Sequence, residues 1–108
     1  MNSQVFDIMQ NRGLVRGSVV QSRAGHDRLQ VFLVLKADRG FIWLADGSGR
    51  KHGQPKKKRV SHVRPLGQLD DAAILDQIDG LGDPGQRDAA LRRLLNDYLA
   101  ANPKEEEL

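Results

Sequence analysis

The stretch Arg50-Lys51-His52-Gly53-Gln54-Pro55-Lys56-Lys57-Lys58-Arg59 carries six fixed positive charges in ten residues and no negative one. Charges this close repel one another and oppose folding, so a compact domain that keeps them is built to meet a polyanion, and nucleic acid is the commonest. Lys56, Lys57, Lys58 and Arg59 together can neutralise several phosphates and release their condensed counterions. Lysine ammoniums are point charges with little base information, so the run predicts affinity rather than sequence choice. Arg50 and Arg59 suit bidentate phosphate contact, and Lys51 adds charge. A second set of polar groups, Arg23, Gly25, His26 and Arg28, clusters in one turn, where backbone amides and a histidine can approach a phosphate backbone or an unpaired base. The plainer reading of that turn is local, with Asp27 bonding nearby backbone N–H groups.

Other chemistries find little footing. His26, His52 and His62 lack metal-ligand spacing, and the chain contains no cysteine to assist them or to form disulfides. Ser61 and His62 are adjacent in a predicted strand, which sends their side chains to opposite faces and prevents a nucleophile–base pair. The glycine-rich Gly47–Gly53 segment fits neither the phosphate-binding loop nor the dinucleotide fingerprint. No catalytic residue, metal or cofactor is expected. The absence of cysteine suits a reducing cytosol, and no apolar run approaches the ~20 residues of a membrane span. A cytoplasmic protein without membrane partners is the expectation.

The elements that must position these residues are mainly β. Gly17–Ser22 reads as a strand, followed by a turn at Ala24–Asp27. Val31–Leu35 is unbroken apolar sequence, which predicts a strand covered on both faces. Asp38-Arg39-Gly40 turns into a third strand, Phe41–Ala45, and Asp46-Gly47 turns again. The basic segment then reads as a loop, and Val60–Arg64 as a final short strand ended or placed at an edge by Pro65. Phe41 and Trp43 alternate along their strand. Exposed they would stack bases, but in a chain this poor in aromatics they are expected to fill the core. Short strands joined by tight turns predict a small, bent antiparallel sheet that curls into a barrel.

Beyond residue 69 the period changes to helical. Asp70-Asp71 precedes a short helix bearing Ile74, Leu75 and Ile78. Asp83-Pro84-Gly85-Gln86 is a helix start with Asp as N-cap and proline in the first turn. Leu91, Leu94, Leu95, Tyr98 and Leu99 then share one helical face. That stripe either packs on the barrel or mediates self-association or docking to a protein partner, and its acidic background could also cover the basic loop. Asn102-Pro103 stops the helix, and a solvated tail follows. At the other end, Val5, Phe6, Ile8 and Met9 either fit one side of a short helical turn capped by Ser3 or lead into the first strand, and the helical turn is the expectation. Three segments result: 1–12 N-terminal, 13–69 barrel, 70–108 acidic helical extension. Residues 1–69 hold 13 Lys and Arg against 4 Asp and Glu, a balance of +9, whereas residues 70–108 hold 4 against 10, a balance of −6. Opposite signs predict different physical jobs for the two halves.

Gly17-Ser18-Val19-Val20-Gln21-Ser22-Arg23-Ala24-Gly25-His26-Asp27 resembles the opening of bacterial KOW-domain RNA-binding proteins, relatives of large-subunit ribosomal proteins. Ala45-Asp46-Gly47, Arg50-Lys51 and Pro55–Val63 resemble the second block of that family, and together the likeness spans roughly residues 14–66. Gly25 stands where the characteristic glycine of the motif falls. Leu29 departs from the family, which often has a glycine there, so the turn after Asp27 is expected to be built differently. The resemblance implies an SH3-like barrel that binds structured RNA, with ribosomal RNA or a ribosome assembly intermediate as the expected target. The sites it and the charge pattern imply are Arg50, Lys51, Lys56, Lys57, Lys58 and Arg59, with Arg23, Gly25, His26 and Arg28 as a second rim. The rival expectation is a protein-interaction module working through the C-terminal amphipathic helix. Pro55–Val60 also has the look of a nuclear import signal. A duplex-DNA binder lacks support, because the basic charge does not sit on a recognition helix.

Overall fold

A computed structural model describes residues 3–103. In chain order the elements are α1 (Ser3–Gln10), β1 (Ser18–Ser22), β2 (Val31–Asp38), β3 (Phe41–Ala45), β4 (Lys56–Arg59), a 3-10 turn (Val60–His62), β5 (Val63–Gln68), α2 (Ala73–Asp79) and α3 (Pro84–Ala101). The strands form one antiparallel sheet in the order β4-β3-β2-β1-β5. The chain is thus mainly β with a helical C-terminal part, as its periodicities predict. Several boundaries differ from the sequence reading, with β2 running on to Asp38 and β5 to Gln68. Lys56–Arg59 is a strand and not loop, and Val60–His62 is a 3-10 turn that precedes β5. Pro65 lies inside β5, which it can do because β5 is an edge strand whose register shifts by a bulge opposite Val19 and Val20.

β4 and β5 are the two edges of the ladder and do not pair with each other, so the sheet is open. It cannot be flat. Four strand spacings would put the edges about 19 Å apart. The four residue steps from Arg59 to Val63 reach at most about 14 Å, and a 3-10 turn within them shortens that further. The sheet therefore curls until its edges approach. The turn is pinned on both sides: Val60 N–H donates to the Gly40 carbonyl at 3.0 Å and Arg23 N–H to the His62 carbonyl at 2.8 Å.

The curl has two apolar faces. Inside lie Leu14, Val20, Phe32, Val34, Ile42, Leu44, Val60 and Val63. Outside, Val19, Leu33 and Ala45 meet Leu69, Leu75, Ile78, Leu91 and Leu95. β2 serves both faces, Phe32 and Val34 inward and Leu33 outward, as its unbroken apolar run requires. Leu94, Tyr98 and Leu99 are half-buried against the outer cluster, so the helical stripe packs on the sheet. α3 begins as expected: the Asp83 carboxylate accepts from Gln86 N–H at 2.9 Å, with Pro84 in the first turn. In α1, Val5, Phe6 and Met9 are exposed; the Ser3 cap, the Ile8 side chain and the C-terminal tail fall outside the described residues.

Two positions carry left-handed backbone with consequence. Gly47 has φ +77, and a Cβ there would lie 2.2 Å from the Asp88 carbonyl oxygen and 2.7 Å from Arg92 N. Only glycine lets the β3–β4 connection sit on α3. Leu29 has φ +74 and is 65% exposed. The turn after Asp27 therefore adopts the backbone conformation a glycine would take, without the glycine, at a cost of roughly 1–2 kcal/mol. Gly47→Ala should lower stability by about 2 kcal/mol or more, a fall of roughly 10 °C in a calorimetric melt. Leu29→Gly, in contrast, should leave the midpoint unchanged or raise it by up to about 1 kcal/mol equivalent.

Candidate nucleic-acid interface

The strand period decides where the four consecutive cations go. β4 pairs with β3 in the register Phe41↔Arg59, Ile42↔Lys58, Trp43↔Lys57 and Leu44↔Lys56. Directly paired residues share a sheet face. Ile42 and Leu44 belong to the inner cluster, so Lys56 and Lys58 follow them inward, while Lys57 and Arg59 stand on the outer face with Phe41 and Trp43.

Lys58 is 7% exposed. Its ammonium donates to Asp27 Oδ1 at 2.6 Å, to the Ala24 carbonyl at 2.9 Å and to Ser22 Oγ. An ammonium has three protons, and all three are placed. All three Lys58 protons are thus engaged within the protein, which sets it apart from Lys57 and Arg59. Lys56 is intermediate: its ammonium pairs with Asp27 Oδ2 at 2.7 Å but keeps a third of its side chain exposed. Asp27 is therefore the counter-ion of two lysines, and the Ser22 hydroxyl donates to its Oδ1 at 2.7 Å. Burial alone would raise the Asp27 pKa. Hydrogen bonds from Lys56, Lys58 and Ser22, with the charge of Lys58, outweigh it and hold the carboxyl well below the usual carboxylate range.

Outside, the cations lie on aromatic rings. Lys57 Nζ is 4.5 Å from the Phe41 ring centroid and 5.5 Å from that of Trp43. Lys36 Nζ is 4.9 Å from the Trp43 centroid, and the Arg59 guanidinium carbon 5.3 Å from that of Phe41. Such contacts at exposed sites are worth ~0.5–1 kcal/mol each. Lys36 reaches this face through a bulge: pairing shifts between Val34↔Leu44 and Lys36↔Trp43, and the extra residue turns Lys36 outward. Phe41 and Trp43 are half-buried surface residues rather than core, contrary to the sequence expectation. Ile42 and Leu44 fill the interior instead, because the inner face is the one closed by Leu14, Phe32 and Val34.

A groove joins the β1–β2 turn to β4; its lining includes Gly25, Phe41, Lys56, Lys57, Lys58 and Arg59, with His62 at one side. Arg23, His26 and Arg28 are exposed on that same turn, where Gly25 takes φ +85. Arg50 and Lys51 are placed elsewhere, in a connection held on the helices. Arg92 donates to the Gly47 carbonyl at 2.8 Å and His52 N–H to Asp88 Oδ1 at 2.8 Å. Asp79 of α2 receives Arg16 and His52 Nε2, both at 2.7 Å. Burial would raise the Asp79 pKa, but bonding from His52 and the charge and bonding of Arg16 lower it instead. The acidic extension thus meets Arg16 and His52. Among the described residues, no carboxylate lies within ion-pair distance of Lys57, Arg59, Arg23, Arg28, Arg50 or Lys51.

Sequence reasoning missed Lys36, Phe41, Trp43 and His62 as members of this surface. The usable signal was period-2 alternation: read as a strand, Lys56–Arg59 splits two and two, and its outer pair falls opposite the aromatic residues of β3. No protein-family model matches the chain, and no curated protein is significantly similar to it.

The buried pairing has a measurable consequence. Asp27→Asn should leave the Lys58 ammonium without its counter-charge and cost about 3 kcal/mol in chemical denaturation. Because the Asp27 pKa is lowered on folding, its contribution is complete above the unfolded value near 4 and fades as pH falls through the lower folded value. In the wild type, stability should therefore decline below pH 4, and in Asp27→Asn that acid limb should be shallower. An equally steep limb in the variant would refute the assignment.

Proposed function

We propose that this protein is a non-enzymatic RNA-binding protein of the cytoplasm, and that its sheet is an SH3-like barrel of the KOW type. The observation that carries the reading is the outer row of β4. Lys57 and Arg59 project from a curled sheet, rest on aromatic rings, and have no carboxylate partner among the described residues, beside an exposed turn bearing Arg23, His26 and Arg28. Uncompensated cations held in a row by a rigid strand are an electrostatic footprint for phosphates. The resemblance of residues 14–66 to KOW proteins points to ribosomal RNA, bound on the ribosome or on an assembly intermediate. The working phosphate contacts are then Lys57 and Arg59, with Lys56 at the rim of the groove and Arg23, Arg28, Arg50 and Lys51 adding attraction. Lys58 acts from within, by fixing the strand. No helix among the described residues is long and apolar enough to cross a membrane. The alternative of a protein-interaction module has less support, since the apolar stripe of α3 packs on its own sheet.

The reading makes a graded prediction. In fluorescence-anisotropy titrations against single-stranded RNA, Lys57→Ala and Arg59→Ala should each weaken binding and reduce the slope of log K against log salt by ~0.7. Lys51→Ala should do less, and cosedimentation with ribosomes should fall as salt rises. Failure of the wild-type protein to bind RNA at low salt would refute the proposal.

A further inference from the structure

We infer that the outer face of β3 and β4 is a stacking platform for two unpaired bases, which makes a single-stranded RNA segment, rather than a duplex, the preferred ligand of this surface. The inference rests on the RNA-binding reading above and deepens it. Trp43 and Phe41 sit two residues apart on one face of one strand, which separates them by about 6.7 Å along the strand. Stacked neighbours along a nucleic-acid strand rise only about 3.4 Å. Adjacent nucleotides can cover both rings only if they are pulled apart from each other, and a duplex does not permit that. A regular RNA helix also hides its base faces, whereas splayed single strands offer them to aromatic side chains.

The cations complete the site. Lys36 and Lys57 flank Trp43, and Lys57 and Arg59 flank Phe41. All three cationic residues are exposed and belong to strands, so their stems are anchored while their heads can swing. In the free protein the heads rest on the ring faces. A base stacked on a ring outweighs an exposed cation–ring contact, and each displaced head gains a phosphate of the same strand. Binding is then an exchange: bases take the rings and cations move to the backbone. α3 covers the outer face around Ala45 and Leu33, whereas Phe41 and Trp43 are half-buried and the three cations beside them exposed.

Trp43 is the single tryptophan of the chain, so its emission reports this surface directly. The probes are a single-stranded oligouridylate dodecamer and an RNA duplex of equal length, at matched salt, with anisotropy of labelled RNA as an independent measure of binding. The dodecamer should quench Trp43 emission and the duplex should leave it nearly unchanged. Trp43→Leu and Phe41→Leu should each weaken dodecamer binding roughly tenfold while changing duplex affinity less than twofold. Wild-type quenching needs no variant and stands even if a substitution perturbs folding. Binding of the dodecamer with unchanged emission, or equal quenching by both RNAs, overturns the platform and leaves the RNA-binding reading in place. Absence of binding to either RNA overturns both.

Discussion

One carboxylate makes the cationic strand possible. Four consecutive positive charges in an extended segment repel each other, and two of them point into a curled sheet, where Lys58 is buried. Asp27 accepts both inward ammoniums, Lys58 through one oxygen and Lys56 through the other. The remaining protons of Lys58 go to the Ser22 hydroxyl and the Ala24 carbonyl. A buried ammonium is tolerable only when paired and fully hydrogen-bonded, and here both conditions are met. The β1–β2 turn is thereby tied to β4 across the opening of the sheet. Without this pairing, neither the groove nor the outward stance of Lys57 and Arg59 would have a fixed frame.

Parity then distributes the chemistry. A strand sends alternate residues to opposite faces, so the same four residues supply a structural pair and a surface pair. The bulge in β2 adds a third outward cation, Lys36, which regular pairing would have turned inward. The aromatic rings of β3 accept these heads because the interior is already filled by Ile42 and Leu44. A ring beneath each of these three cations follows from the packing of the opposite face.

The acidic extension has a defined place in this arrangement. Its apolar stripe closes the outer face of β1, β2 and the end of β3, and its carboxylates bind Arg16 and His52. Gly47 lets the β3–β4 connection approach the α3 backbone without a Cβ between them. The extension steadies the root of the basic segment, and among the described residues none of its carboxylates pairs with β4. Among the described residues, opposite charge in the two halves is thus used locally, in a few pairs.

Much of the fold was legible from residues alone. The strand of Val31–Leu35 had to be covered on both faces, Asp83-Pro84 had to begin a helix, and Leu91 and Leu95 had to be buried, because apolar periodicity and capping chemistry are local properties that tertiary contacts here reinforce. The cationic run also identified its own segment. What the sequence could not settle was the state of that segment. Four cations carry no apolar alternation, so nothing within Lys56–Arg59 marks it as a strand; its pairing with β3 does, and that is non-local. The same holds for the partnership of Asp27 with a lysine 31 residues away, and for the side of the sheet that Phe41 and Trp43 take. Residue types set which charges and rings were present; the register between strands decided which of them reach the solvent.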